Sequence, residues 1–308
     1  MASINTNFAA MTALQSLKMT DMKLLETQNR ISTGFRVETA KDNAAYFSIA
    51  ATMRSDNAAL STVQDALGLG AAAVDVAYTA LESTMDVVDE IKNKLVAARE
   101  PGIDRTKIQA EITQLQEQLI ANADTASFNG ENFLSVDSGS ADYNAMKSIV
   151  SSFTRSGSTV SIGTINIDIT STALFDADAT GTGILDTEFT TTNGGVVYSV
   201  TTLDITLLTD SALDLADLEE MVQTVDNALG LVITAASDLG AASKRIELQQ
   251  TFVSNLMDAV DRGVSQLVDA DMNEESTRLQ ALQVQQQLGV QSLSIANASS
   301  QNILALFR

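Results

Sequence analysis

The residue types that ordinarily carry chemistry are scarce in this chain, and the scarcity narrows what it can do. Its 308 residues include no Cys and no His. Thiol nucleophiles, disulfides, Ser-His-Asp triads, imidazole metal ligands and HExxH zinc sites are therefore excluded. A Ser-Lys or paired-carboxylate mechanism remains, but the Asp and Glu are spaced as solvated helix faces rather than gathered into a site. The chain does not read as an enzyme, and no catalytic or cofactor-binding residue is assigned.

One stretch has the outline of a cation loop. Asp176-Ala-Asp178-Ala-Thr180-Gly181 offers oxygen donors at loop positions 1, 3 and 5 and Gly at 6. Position 12 is Thr187, where a calcium loop needs a bidentate Glu, and Glu188 comes one residue late. The stretch is expected to be an acidic loop between strands, with no metal. Gly68-Leu69-Gly70 lies within a helical repeat and lacks the GxxxxGK continuation of a phosphate loop. The Ser and Thr of 138–210 could accept O-linked sugars, without a motif that marks one.

Charge points the same way. The formal net charge is −21, and no Lys or Arg occurs between Ser156 and Ser243, a stretch carrying Asp168, Asp176, Asp204, Asp217 and Glu220 among other acids. Such a surface repels nucleic acid and favours solubility. Apolar runs such as Ala66 to Val74 are far shorter than the roughly 18 residues a membrane span requires. The opening Met1-Ala-Ser-Ile-Asn-Thr-Asn7 has neither the basic start nor the apolar core of a signal peptide, so composition alone reads as cytoplasmic.

The elements that must carry whatever function remains are long helices. Leu218, Val225, Val232, Leu239, Ile246, Val253, Val260 and Leu267 fall seven apart, and Met221, Ala228, Ala235, Ala242, Leu256 and Ala270 sit three later. That is a coiled-coil seam, and a helix bearing it needs a partner. Leu60, Leu67, Val74, Leu81, Val88 and Leu95 repeat the pattern and supply one, ending at Glu100-Pro101-Gly102. A shorter helix from about Asp104, with Ile108, Ile112, Leu115 and Leu119 on one face, should fold back antiparallel after the Pro-Gly turn.

Upstream, Leu14, Leu17, Leu24 and Ile31 mark a stripe interrupted by Asp21 and Gln28, and Gly34 should end the helix. Thr39-Ala-Lys-Asp42 has the form of a capping box that would restart a helix through Tyr46 to about Arg54. After Ser127 the chain turns to Ser, Thr, Gly and Asp. Ile165, Ile167 and Ile169 alternate with polar residues, and Asn193-Gly194 marks a hairpin turn, so 138–209 reads as a small β-rich insert. Helix resumes after a register shift near Asp269 to Asn273, with Leu279, Leu282, Leu293 and Ile303 in frame and Gln286, Gly289 and Ser300 weakening it. Both terminal helices look insecure alone. The predicted fold is mainly α: a long antiparallel bundle of N- and C-terminal regions with a β insert in the middle of the chain.

Arg30-Ile-Ser-Thr-Gly-Phe-Arg-Val-Glu-Thr-Ala-Lys-Asp-Asn-Ala-Ala-Tyr-Phe-Ser-Ile-Ala50, with Leu14-Gln-Ser-Leu17 before it, resembles the N-terminal signature of bacterial flagellins. Met272-Asn-Glu-Glu-Ser-Thr-Arg-Leu-Gln-Ala-Leu282, Gln287-Leu-Gly-Val290 and Ala298 to Arg308 resemble the C-terminal one, and Phe128-Asn129-Gly130 falls where the family has a similar turn. The likeness covers about 1–135 and 215–308.

The resemblance implies three regions: a terminal core arm (1–45 and 269–308), a helical shaft (46–137 and 210–268) and a variable outer β domain (138–209). It implies a structural subunit that polymerises, with itself and with paralogous flagellins, into a filament for swimming. It also implies extracellular placement through type III export without a cleaved signal, and dealings with an export chaperone, a filament cap and junction proteins. The arms at 1–34 and 272–308 would order on assembly, with Leu14, Leu17, Leu24, Ile31, Leu279, Leu282, Leu293 and Ile303 as the polymerisation seam. The family's receptor-recognised Arg-x-Arg-Glu-Leu-Ala-Val-Gln stretch is replaced here by Asp89 to Arg99, without the Arg-Glu pairing, which speaks against recognition by Toll-like receptor 5. A hook-filament junction protein, with similar termini, and a soluble coiled-coil adhesin are the alternatives to the filament subunit.

Overall fold

A computed structural model describes residues 7–141, 143–157, 159–178 and 182–306, with side chains described as far as 299. In chain order it contains α1 (Phe8–Thr33), α2 (Ala44–Ala97), α3 (Arg105–Thr125), β1 (Ser127–Phe128), β2 (Glu131–Asn132), β3 (Ser135–Val136), β4 (Met146–Ser156), β5 (Thr159–Asp168), β6 (Phe175–Asp176), β7 (Phe189–Thr190), β8 (Val197–Tyr198), α4 (Ala212–Val268) and α5 (Met272–Leu306). They fall into two compact units, Met1–Ala58 with Met257–Arg308, and Ala59–Leu256. The predicted class, helices at both ends around a small strand-bearing middle, is the one observed.

In the unit spanning 59–256, the two long seams meet. Leu60, Leu67, Val74, Leu81, Val88 and Leu95 of α2 are buried, as are Leu218, Val225, Val232, Leu239, Ile246 and Val253 of α4. Polar pairs record the direction: Ser243 Oγ donates to Asp75 at 3.0 Å, Lys92 meets Asp226 at 3.5 Å and Arg99 meets Glu219 at 2.9 Å. Residue number falls along α4 as it rises along α2, so the helices are antiparallel. Lys94 with Glu111, and Asn122 with Ser83, place α3 antiparallel to α2 as expected after Pro101-Gly102, where Gly102 takes φ +82°.

The face that α3 buries is less apolar than its sequence suggested. Ile112 and Leu119 are buried, Ile108 and Leu115 only half so, while Arg105, Gln109 and Gln116 are buried beside them. These three hold the irregular chain that leads into α4. Arg105 donates to Ala98 O (3.1 Å), Leu208 O (3.1 Å) and Asp210 (2.8 Å). Gln109 donates to Leu203 O and accepts from Ile205 N, both at 3.0 Å, and Gln116 donates to Val200 O (3.0 Å) and Leu203 O (3.1 Å). A loop that buries Val200, Leu203 and Ile205 leaves backbone groups without water, and these side chains replace it.

The strands form four two-stranded pairs: β1–β2, β4–β5 and β7–β8 antiparallel, β3–β6 parallel. Asn129-Gly130 makes the expected tight turn, both residues at positive φ (52° and 83°). Ile165, Ile167 and Ile169 are buried in alternation as predicted, and Ser151 O accepts from Gln249 of α4 at 2.9 Å. The Asn193-Gly194 hairpin forms between β7 and β8, but as a six-residue loop with positive φ at Gly195. The buried carboxylate of Asp217 holds that loop, accepting from Asn193 N (3.1 Å), Asn193 Nδ2 (3.0 Å) and Gly194 N (2.7 Å), and Glu220 accepts from Thr192 N at 3.0 Å.

Acid should loosen this unit. Burial works to raise the Asp176 carboxyl, but hydrogen bonds from the Ser138 hydroxyl and N–H, the Thr182 hydroxyl and Asp178 N outweigh it and hold the group far below the usual carboxylate range. Asp217 is lowered likewise, burial opposing and the Asn193 and Gly194 donors prevailing. A depressed folded-state pKa gives stability that is complete above the unfolded value of about 4 and is lost as pH falls towards the folded value. The thermal midpoint should therefore be level from neutrality to about pH 5 and fall below it, with a shallower acid slope in Asp176→Asn and Asp217→Asn. Gln116→Ala, which strands the buried Val200 carbonyl and leaves Leu203 O to Gln109 alone, should cost about 1–3 kcal/mol in denaturant unfolding.

Candidate assembly interface

The unit made of 7–58 and 257–306 brings both ends of the chain together. Asn7 caps α1, its Oδ1 accepting from Ala10 N at 3.0 Å while its amide donates to Ala296 O of α5 at 3.1 Å. Gly34 ends α1 in the left-handed region (φ +76°), its N–H returning to Arg30 O. A short bridge then ties the exit of α1 to the end of α4: Arg36 N and Val37 N donate to Val268 O, and Ala270 N to Gly34 O at 2.9 Å. Asp271 starts α5, accepting from Asn273 N and Glu274 N, so the break expected near 269–273 is real. Thr39 to Asp42 form a turn rather than a helix start. The Asp42 carboxylate accepts from Thr39 and Glu38 N, and Asn43 is the residue that caps α2, which runs unbroken from Ala44 to Ala97.

Val260 and Leu267, the last two steps of the predicted shaft seam, are half-buried rather than central. The buried positions move to Val264 and Val268, which with Val37 and Ala50 form a small core that Phe35, Phe47, Met53, Val260 and Leu267 surround. An eleven-residue step from Val253 to Val264 shifts the seven-residue frame, which turns the buried stripe round the helix.

The predicted polymerisation seam mostly joins the two arms of one chain. Leu17, Leu24, Ile31, Leu279 and Leu293 are half-buried and Leu282 is buried, whereas Leu14 is 53% exposed. Ile303 lies outside the residues whose side chains are described. Residues that weaken the seam on paper are matched in space. Gln286 donates to Asp21 at 2.8 Å, so one polar interruption answers the other. Gly289 sits where an added Cβ would be 3.2 Å from Leu17 Cδ1, so its missing side chain makes room for the opposite helix. Nearer the base, Glu275 Oε1 takes Arg30 (3.1 Å) and Arg278 (2.8 Å) together, while Arg30 also meets Glu26 and Arg278 meets Glu274. Glu275 is buried and its Oε2 has no hydrogen-bond partner among the described residues.

The sequence reading missed a second apolar face on each arm. Phe8, Met11, Met19 and Met22 of α1 are at least half exposed on the side of the helix away from Leu17, Leu24 and Ile31, and Leu14 of the first stripe and Leu25, also more than half exposed, lie on the flank between the two. On α5, Val284, Leu288 and Ile295 stand opposite Leu279, Leu282 and Leu293 and are more than half exposed. Thr27 is the one buried residue of α1. The signal was present as helical spacing, but it overlaps the inner stripe, and a stripe search that seeks one face per helix finds only the first. Among the described residues no cluster of three acids suits a metal ion, and no helix is long and apolar enough to cross a membrane. This arrangement presents apolar helix surface.

A model described as the bacterial flagellin N-terminal helical region matches residues 4–138, and one described as the bacterial flagellin C-terminal helical region matches 222–307. Flagellin C of Rhizobium meliloti (strain 1021) is 51% identical over 326 aligned residues, with all of both chains covered. Flagellin of Brucella melitensis biotype 1 is 45% identical over 309, again with full coverage of both. A crystal structure of Bacillus cereus flagellin was also found, at 16% identity and a TM-score of 0.35, covering 62% of this chain and 88% of that one.

The arm geometry sets an ordering of mutants. Gly289→Ala should leave the α1–α5 pair intact, since Leu17 can give by a few tenths of an ångström and Ala favours helix by about 1 kcal/mol. Gly289→Val should separate the arms, and Glu275→Ala should loosen them more than Glu26→Ala, because the Glu275–Arg30 pair joins α5 to α1 whereas the Glu26–Arg30 pair lies within α1. Amide exchange in α1 and α5 reads all four variants.

Proposed function

The chain belongs to the bacterial flagellin family and is a structural, non-enzymatic subunit of the extracellular flagellar filament, and from that premise we propose that the outward faces of α1 and α5 are its assembly element. The observation that carries this is the two-sided character of the arms: inner stripes are half-buried or buried, and outer stripes of large apolar residues stay half or more exposed. A subunit that polymerises supplies the cover by repetition, since a heterologous contact that does not close on itself propagates as a helical filament. Covering each of these side chains is worth on the order of 1 kcal/mol at its present exposure.

In this reading the seam named from sequence has two parts. Leu17, Leu24, Ile31, Leu279, Leu282 and Leu293 register the arms of one subunit, and Leu14 joins Phe8, Met11, Met22 and Leu25 in contacts between subunits. Ile303 is assigned to the same assembly region by its frame. The arms, over 7–34 and 272–306 among the described residues, are loosely held in the monomer and gain helix on assembly, because a pair with so few buried residues contributes little against the entropy of ordering two helices. The terminal arms, the helical shaft and the 138–209 insert act as inner core, wall and outer surface. Export is by the flagellar type III route without a cleaved signal, with an export chaperone holding the exposed arms before assembly, and cap and junction proteins at the filament ends.

The test is deletion of the last thirty residues together with Leu14→Asp/Leu25→Asp in the full chain. Both proteins should stay soluble and mainly helical, and neither should extend seeds in sedimentation and electron microscopy. Normal filaments from both would sink the reading.

A further inference from the structure

The outward face of α1 is unusual for its sulfur. The chain has ten Met, and three of them, Met11, Met19 and Met22, lie within twelve residues on that one face at 57%, 50% and 59% exposure. The spacings of eight and eleven residues keep all three on the same side of the helix. The other readily oxidised side chains are missing: there is no Cys, no Trp and no His anywhere in the chain. A two-electron oxidant that meets this protein therefore finds thioether sulfur first, and it finds it concentrated where subunits must pack.

We propose that Met11, Met19 and Met22 form an oxidation-sensitive gate on polymerisation, open to peroxide in the free subunit and closed off in the filament. Each thioether attacks one oxygen of hydrogen peroxide. The O–O bond breaks, that oxygen becomes the sulfoxide oxygen, and the other leaves as water with both hydrogens; sulfur is oxidised by two electrons and peroxide is reduced. The product is a polar, chiral side chain in place of a flexible apolar one. Buried against another subunit without a donor for its oxygen, it opposes assembly. The inner stripe carries no Met among its named residues, so the pairing of α1 with α5 is spared. The proposal rests on the assembly role of the outer face and is tested so that the two can fail separately.

The experiment oxidises the full-length monomer with hydrogen peroxide, maps sulfoxide by peptide mass spectrometry, and then measures elongation from untreated seeds. Met11, Met19, Met22, Met146 and Met272 should be modified, and Met221, which is fully buried, should not. Oxidised monomer should elongate roughly tenfold more slowly or worse. Methionine sulfoxide reductases of both epimer specificities should restore it. The Met11→Leu/Met19→Leu/Met22→Leu variant, which still oxidises at Met146 and Met272, should elongate alike before and after peroxide. Should that variant fail to polymerise untreated, recovery of the parent by the reductases decides the matter alone. Assembled filaments should take sulfoxide at Met146 but not at Met11, Met19 or Met22.

Parent subunits fully oxidised at the three sites yet elongating within twofold of untreated ones would overturn the gate. So would equal loss in the triple Leu variant. If Leu14→Asp/Leu25→Asp is inert in those same assays the assembly face stands without the gate, and if it elongates normally the assembly face itself is refuted.

Discussion

An apolar helix face is stable only where something covers it, and that requirement decides how this chain behaves at each place. In the unit of 59–256, α2 and α4 present continuous stripes to one another, and the burial is complete along Leu60 to Leu95 and Leu218 to Val253. Such a helix pair contains within itself what its hydrophobic surface needs. The arms do not. One pairing can cover one side of a helix, and α1 and α5 each have apolar residues on two. The same physical rule therefore yields a self-sufficient helix pair in that unit and, in the function proposed, arms whose outer faces are completed by other subunits.

Polar residues decide position where apolar ones decide adhesion. Arg105, Gln109 and Gln116 lie on one face of α3 and give hydrogen bonds to the backbone of 200–208, so a segment without regular structure can be packed tightly. Asp217 and Glu220 do the same from α4 for the loop at 191–195. On the arms, Asp21 with Gln286 and Glu275 with its two arginines mark one register among those the repeats would permit. A slip by one turn would keep much of the hydrophobic contact and break these pairs, which is how a buried polar group specifies an alignment that apolar contact alone leaves open.

Repeats were the legible part of the sequence. Long seven-residue frames identify α2 and α4 because the period is imposed by packing along their whole length, and Gly34, Pro101-Gly102 and Asn129-Gly130 mark real ends and turns because only special backbone conformations suit them. The polar staples of α3 were not legible, since a helix-borne Gln reads as solvated until the loop that covers it is known. Thr39 to Asp42 looked like a cap because Ser/Thr-x-x-acid patterns serve turns and helix starts alike, and the choice went to Asn43. Gly289 and Gln286 read as flaws in the seam when taken on one strand of sequence, and as fits once Leu17 and Asp21 face them. Motifs at the two termini resemble the family's; which apolar stripe of each arm is covered and which is exposed depends on the opposite helix and is not written in the spacing.

The most direct test compares amide hydrogen exchange of the purified subunit before and after seeded polymerisation. The account predicts that amides of 8–33 and 272–299 exchange readily in the monomer and become protected by several orders of magnitude in the filament, while those of α2 and α4 between 60 and 253 are protected throughout. Arms already as protected in the monomer as the shaft, with no gain on polymerisation, would contradict it, because their outer faces would then need no second subunit to hold them.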